Sequence, residues 1–257
     1  MVQPFIELGP FTFYYYGFFI ALAIFAYFFS LRLLAQKSLY KALKIESAFL
    51  FCLIFALIGA RFYHILSNLP YYLIHPLEVF FVWQGGLGIF GAILGGMIGL
   101  YIFSKVQEIE LLSLLNVIAP PLLLAQAIGR TGNFINKEGF GLPTNLPWKF
   151  YVPISARPPM FIGSSYFHPT FFYEAILCLG AFVLYLIIRK RVKKFNFGFA
   201  YYLIAYGVIR LLTEFFRIDT WLIGGVKVGF LAALAMILGG VGIIFIFWTS
   251  YRASSKA

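Results

Sequence analysis

Long apolar runs separated by short polar joints dominate this chain. Residues 11–31, 47–66, 86–104, 111–129, 170–188, 198–216 and 227–248 consist mostly of Leu, Ile, Phe, Val, Ala and Gly. Each is close to the roughly 20 residues that a helix needs to cross a bilayer. Barrel strands would instead alternate polar and apolar residues over about ten positions. The pattern predicts an all-α integral membrane protein with seven transmembrane helices, forming a single polytopic domain over residues 1–257. The first run carries no charge and lacks the basic start of a cleavable signal peptide. Pro120 and Pro121 should kink the fourth span. Residues 130–168 read as the one long non-helical stretch, rich in proline and in aromatics such as Trp148, Tyr151 and Tyr166. They predict an ordered arm or loop region at the outer face, where amphipathic rings are favoured.

Composition excludes the soluble alternatives. Charged residues are 11% and hydrophobic residues 62%, against about 25% and 45–50% in soluble domains. Cytosolic enzymes, disordered chains and secreted disulfide domains do not look like this. A net charge of +11 would suit nucleic acid, but the basic residues form no long stripe and no nucleic-acid motif, so no nucleic-acid partner is expected. Arg32, Lys37, Lys41, Lys44, Lys105, Arg189, Lys190, Arg191, Lys193, Lys194, Arg252 and Lys256 all fall on one side if the N-terminus is outside and the C-terminus cytoplasmic. The other basic residues are Arg61, Arg130, Lys137, Lys149, Arg157, Arg210, Arg217 and Lys227. With Glu138, Glu174 and Glu214 they gather toward the outer half, where ionisable groups need a partner or a wet cavity. Cys52 and Cys178 sit inside apolar runs and read as small buried hydrophobes, with a disulfide or metal pair as the alternative.

Five segments stand out, three of them with candidate chemistry. Residues 129–141, GRTGNFINKEGFG, place Arg130, Asn133, Asn136, Lys137 and Glu138 among glycines directly after an apolar run. Arg forks and Asn amides recognise oxyanions and polyols, although a hydrophilic turn would also be polar. Arg210, Glu214 and Arg217 are spaced i, i+4, i+7 and predict one charged helix face. An internal ion pair explains two of these charges, and the surplus arginine suits a phosphate. His168-Pro169-Thr170 opens the fifth span, with Glu174 at least one turn inside it. Gly91, Gly95 and Gly99 form a small-residue face for helix packing. Tyr14, Tyr15 and Tyr16 alone read as an aromatic belt.

Together these residues resemble the prolipoprotein diacylglyceryl transferases of the bacterial inner membrane. The resemblance runs from Tyr16-Gly17 through Gly59-Ala60-Arg61, Trp83-Gln84-Gly85-Gly86 and residues 129–141 to His168-Pro169-Thr170, Tyr173-Glu174 and Arg210 to Arg217. It implies transfer of a diacylglyceryl group from phosphatidylglycerol to the lipobox cysteine of a preprolipoprotein, with glycerol 1-phosphate leaving. It implies no cofactor and no metal. The partners would be phosphatidylglycerol, the lipobox of the signal peptide and the lipid bilayer. By the same resemblance, Arg130, Arg210, Glu138 and Tyr16 are catalytic. Asn133, Asn136, Gly141, Glu214, Arg61, Glu174 and Arg217 would bind substrate. In this reading Arg130 and Arg210 take the phosphate, Asn133 and Asn136 take glycerol hydroxyls, and Glu138 and Glu214 orient the arginines. The chain departs from the family pattern at Phe90, where a histidine is usual, and at Phe171 and Phe230, where glutamines are usual. A non-catalytic homologue that binds phospholipid or lipoprotein precursor is the second reading.

Overall fold

The computed structural model describes residues 5–8, 11–34, 39–82, 85–192, 197–218 and 220–254. Lys37, Trp83, Gln84, Lys193, Lys194 and Lys256, which enter the expectations above, lie outside the described residues. The chain forms two compact units, Leu31–Ile118 and the combination of Met1–Ser30 with Ala119–Ala257.

An antiparallel hairpin comes first, with β1 (Phe5–Leu8) paired to β2 (Phe11–Tyr14) so that Phe5 faces Tyr14. Helix α1 (Tyr15–Leu34) therefore starts four residues later than the apolar run beginning at 11. Phe-Thr-Phe-Tyr is apolar enough to look like part of a span, but its aromatic and β-branched residues after a Gly-Pro dipeptide favour a strand.

Unit Leu31–Ile118 contains α2 (Leu39–Ser67), α3 (Leu69–Ile74), α4 (Ile89–Val106) and α5 (Leu111–Ile118). The expected glycine face of α4 packs on α2. A methyl group on Gly99 would lie 2.7 Å from Phe55 Cβ, and one on Gly95 would lie 3.1 Å from the Cα of Gly59. Close backbone approach of this kind is the usual cohesion of helices in lipid, where burial of apolar surface contributes little.

The break expected at the proline pair is present. Helix α5 ends at Ile118 and α6 (Pro120–Asn136) begins with Pro at its first positions, where a missing N–H costs nothing. However, α6 continues to Asn136, so residues 130–136 are helical and not part of an irregular stretch. The polarity of Arg130, Asn133 and Asn136 ends the apolar run without ending the helix. The stop comes at Lys137, which takes a left-handed conformation with φ 56°.

The segment after α6 then pairs β3 (Phe150–Tyr151) with β4 (Tyr166–Phe167) over a small core of Phe140, Phe150, Val152, Phe167 and Phe171. Helix α7 (Thr170–Arg191), α8 (Gly198–Glu214), the β5 (Leu222–Ile223) and β6 (Val226–Lys227) hairpin, and α9 (Val228–Ser254) complete the chain. Helices α6, α7 and α8 share a core of Leu123, Ala127, Cys178, Phe182 and Ile209. Both cysteines are free; Cys178 is buried, as the apolar reading expects, and Cys52 is partly buried.

Among the described residues six helices are long and apolar enough to cross a membrane, and they correspond to six of the seven expected spans. The remaining expectation, 198–216, falls on α8, which has 17 residues and carries Arg210 and Glu214. Many large apolar side chains, Phe25, Ile58 and Leu238 among them, face outward. Such a surface needs lipid around it. The chain is a mostly helical, multi-pass membrane protein.

Candidate functional site

Glu174 lies one turn into α7 and is only 1% exposed. Arg130 of α6 donates from Nη2 to its Oε1 at 2.6 Å, and Tyr206 of α8 donates to the same oxygen at 2.9 Å. Arg210 reaches Oε2 through Nη1 at 3.4 Å, while its Nη2 bonds Glu214 Oε2 at 2.7 Å. Arg217 Nη1 stands 3.9 Å from Glu174 Oε2. One buried carboxylate thus organises three arginines drawn from separate parts of the chain.

Burying an isolated ion costs several kcal/mol, so these charges persist only because they are paired. Three guanidinium groups against two carboxylates leave one positive charge in surplus. Glu214 is also 1% exposed, and its Oε1 has no hydrogen-bond partner among the described residues. The carboxyl group packs directly on Gly229 of α9, where an added Cβ would lie 2.5 Å away.

The backbone that aims these groups is a crossing point at Gly141. Its N–H donates to His168 O at 2.8 Å, its other side bridges to Arg217, and the Leu142 N–H donates to Phe216 O at 2.8 Å. Thr170 Oγ1 adds a bond to Gly139 O at 2.6 Å. The exit of α6, the entry of α7 and the exit of α8 are laced together here. A Cβ on Gly141 would meet Phe216 O at 2.5 Å and Thr170 Cγ2 at 2.6 Å. Gly141→Ala should therefore cost about 1–3 kcal/mol by overpacking, read as a lowered thermal midpoint of the purified protein. An unchanged midpoint would show that the crossing relaxes freely. In this geometry Gly141 allows the close packing of the three segments.

The i, i+4, i+7 expectation is met in part. Arg210 and Glu214 pair on α8, but the helix ends at Glu214 and Arg217 enters from the segment beyond. Lys227 Nζ secures that end by donating to Glu214 O and Arg217 O, each at 2.9 Å. A cation at a helix C-terminus is favourable.

The other expected residues are distributed differently. Among the described residues Glu138 pairs with no arginine. It accepts from Asn136 Nδ2 at 3.1 Å and Asn133 Nδ2 at 3.4 Å, forming a separate polar group at the end of α6. The sequence reading gave the arginines to Glu138 and Glu214; Glu214 does hold Arg210, and Glu174 stands where Glu138 was expected. Arg61 belongs to the other unit, where it donates to the carbonyls of Val79 at 2.9 Å, Gly85 at 2.9 Å, Gly86 at 3.3 Å and Glu78. It works there as a clamp on backbone. Tyr16 occupies the first turn of α1, and its side chain lies outside the described residues.

Sequence reasoning did not place Tyr206 or Lys227 in the site. The signal for Tyr206 was available, because extending the 210–214 helix face back one turn reaches 206 and then 202. Tyr202 stacks on Tyr206 at 5.9 Å and accepts a bond from Gln126 at 3.0 Å, so the polar column continues inward from Glu174.

Beside Arg130 opens a cavity of about 780 Å³. Its lining is otherwise mostly apolar and aromatic, including Phe134, Ile135, Phe171 and Ile176. Phe171 closes one wall against Phe150, with ring centroids 5.0 Å apart. Lys137 Nζ sits 4.7 Å and 4.6 Å from the rings of Phe134 and Phe150, a cation–π clamp beside the same wall. Phe90 lies on α4 in the other unit beside Tyr63, and Phe230 contacts Phe215. A cationic floor under an apolar chamber fits an amphiphile with an anionic head.

Comparisons with known proteins agree with this chemistry. The family described as prolipoprotein diacylglyceryl transferase matches residues 3–247. A protein of Thermosynechococcus vestitus named phosphatidylglycerol–prolipoprotein diacylglyceryl transferase is 37% identical over 246 residues, covering 95% of this chain and 92% of its own. A protein of the same name from Synechocystis is 35% identical, covering 94% and 88%. One from Nostoc is 37% identical with the same coverage, 94% and 88%.

Proposed function

The chain belongs to the prolipoprotein diacylglyceryl transferase family, and from that premise we propose how its own residues perform the transfer. It moves a diacylglyceryl group from phosphatidylglycerol to the lipobox cysteine of a preprolipoprotein in the bacterial inner membrane. The observation that carries this reading is the arginine cluster on Glu174, positively charged in surplus and open to an apolar cavity through Arg130.

The phosphate of the donor lies on Arg130 and Arg210, and its hydrocarbon lies in the cavity. Asn133 and Asn136 hold hydroxyls of the headgroup glycerol. The cysteine thiol, with an ordinary pKa near ~8.5, must lose its proton before attack. The thiolate then bonds to the terminal glyceryl carbon, the bond from that carbon to the phosphate oxygen breaks, and glycerol 1-phosphate leaves with the electron pair. Arginines fixed beforehand by Glu174 stabilise that developing charge without reorganising. Glu174 itself is unsuited to be the base, since both its oxygens already accept bonds. Glu138, exposed and held only by two amides, takes the thiol proton.

In this reading α8 crosses the bilayer as a seventh span, kept by its ion pairs despite Arg210 and Glu214. The N-terminus is outside and the C-terminus is cytoplasmic. Purified protein given phosphatidylglycerol and a lipobox peptide should add one diacylglyceryl mass to the peptide. No adduct, with phosphatidylglycerol binding retained, would replace the transferase by a protein that only binds lipid.

A further inference from the structure

Two cavities flank one hydrogen-bonded wall. The larger is the 780 Å³ chamber beside Arg130, and the smaller, of about 380 Å³, is bounded by Leu146, His168, Leu177, Leu212 and Phe216. Trp148 and Tyr173 line both. Trp148 Nε1 donates to Tyr173 Oη at 2.8 Å, and that oxygen lies 3.2 Å from His168 Nδ1. An indole N–H only donates, so the phenol oxygen accepts from Trp148 and its hydrogen is available to the imidazole nitrogen. The wall is a connected chain of three side chains.

The smaller cavity has almost no hydrogen-bonding capacity left. Thr213 Oγ1 is bonded to Ile209 O at 3.0 Å, and the Trp148 and Tyr173 groups satisfy each other and His168. Only one ring nitrogen of His168 remains. Burial holds that imidazole below its usual range, which favours its neutral form. A peptide backbone drawn in would give up water without finding partners for its N–H and C=O groups, which is costly. An acyl chain has nothing to satisfy. Both volumes fall in the range of roughly 300–1,000 Å³ typical of ligand sites.

We propose that the smaller cavity receives the second acyl chain of the donor lipid, the first lying in the chamber beside Arg130. This rests on the donor reading above. Two chains leave a single glycerol, so their slots must share an edge, and these two share the Trp148–Tyr173 wall. The lipid straddles that wall. Trp148 and Tyr173 are then residues that set acyl selectivity.

The test uses the full chain in phosphatidylcholine nanodiscs and two phosphatidylglycerol probes, each with a diazirine at the end of one acyl chain. Labelled residues are identified by fragment mass spectrometry. One probe should label Leu177 or Leu212 and the other Ile135 or Ile176, both displaced by unlabelled phosphatidylglycerol. Labelling confined to the larger cavity by both probes would overturn the proposal. So would equal labelling of Leu212 by a phosphatidylcholine probe, or labelling of the smaller cavity by a photoreactive lipobox peptide. Leu212→Trp, which fills the smaller cavity, should shift preference about tenfold toward donors with one short chain. An unchanged preference would also overturn it. Segregated labelling in a protein that transfers nothing would remove the enzymatic reading and keep the slot. Transfer without segregation would do the reverse.

Discussion

Replacing Glu174 by glutamine should reduce diacylglyceryl transfer by at least about 100-fold, and it should also destabilise the protein. Its carboxylate is 1% exposed and serves Arg130, Arg210, Arg217 and Tyr206 together. Removing one partner of a buried ion pair typically costs about 3–5 kcal/mol, because the remaining charge is left uncompensated. Here three guanidinium groups would face Glu214 alone. Glutamine keeps the shape and the bond from Tyr206 but offers an N–H₂ group where arginine also donates. Initial rates and the thermal midpoint should fall together. Tyr206→Phe removes one hydrogen bond from the same oxygen and should cost only about 1 kcal/mol. A glutamine variant with normal rate and normal midpoint would show that the arginines are ordered by something else.

The second large effect is expected from Arg210→Lys. Arg210 uses Nη1 for Glu174 at 3.4 Å and Nη2 for Glu214 at 2.7 Å, and still has donors to offer a phosphate. A lysine ammonium is a single compact centre on a flexible stem and cannot span both carboxylates and a third oxygen. Loss of a charged hydrogen bond of about 1.5–3 kcal/mol corresponds to roughly a 10- to 150-fold fall in kcat/KM. Because the charge is retained, the midpoint should move less than in Glu174→Gln. Undiminished kcat/KM would rule out a role that needs the guanidinium fork.

Much of the site was legible in the residues, for physical reasons that differ from one group to another. Charges inside apolar runs are costly, so Arg130, Glu174, Arg210 and Glu214 stood out by their surroundings alone, and the structure brings those four together. The partnership itself was not legible. Arg130 and Glu174 are 44 positions apart, and it takes the crossing at Gly141 and the shared core of α6 and α7 to bring them together. Glu138 sits close to Arg130 in sequence and invited a local pairing. The helix continues past Arg130 to Asn136, however, and the left-handed turn at Lys137 directs Glu138 back to the two asparagines.

The same limit applied to Arg61, whose donors are taken by carbonyls of residues 78–86, contacts that no side-chain pattern encodes. Spans were readable because length and apolarity suffice. The exceptions were segments where these criteria diverge from secondary structure. Residues 11–14 are apolar but form a strand, and residues 130–136 are polar but helical. The Trp148–Tyr173 wall was invisible for another reason, since Trp148 reads as one of several interfacial aromatics and Tyr173 only as part of the motif around Glu174 until the two cavities beside them are seen.

The central claim is that the arginines gathered on Glu174 form the phosphate site of the donor lipid. A structure determined with phosphatidylglycerol bound measures this most directly. The account predicts phosphate oxygens within hydrogen-bond distance of both Arg130 and Arg210, with hydrocarbon in the chamber lined by Phe134 and Phe171. A phosphate seated elsewhere, with those arginines still engaged only by Glu174 and Glu214, would contradict it.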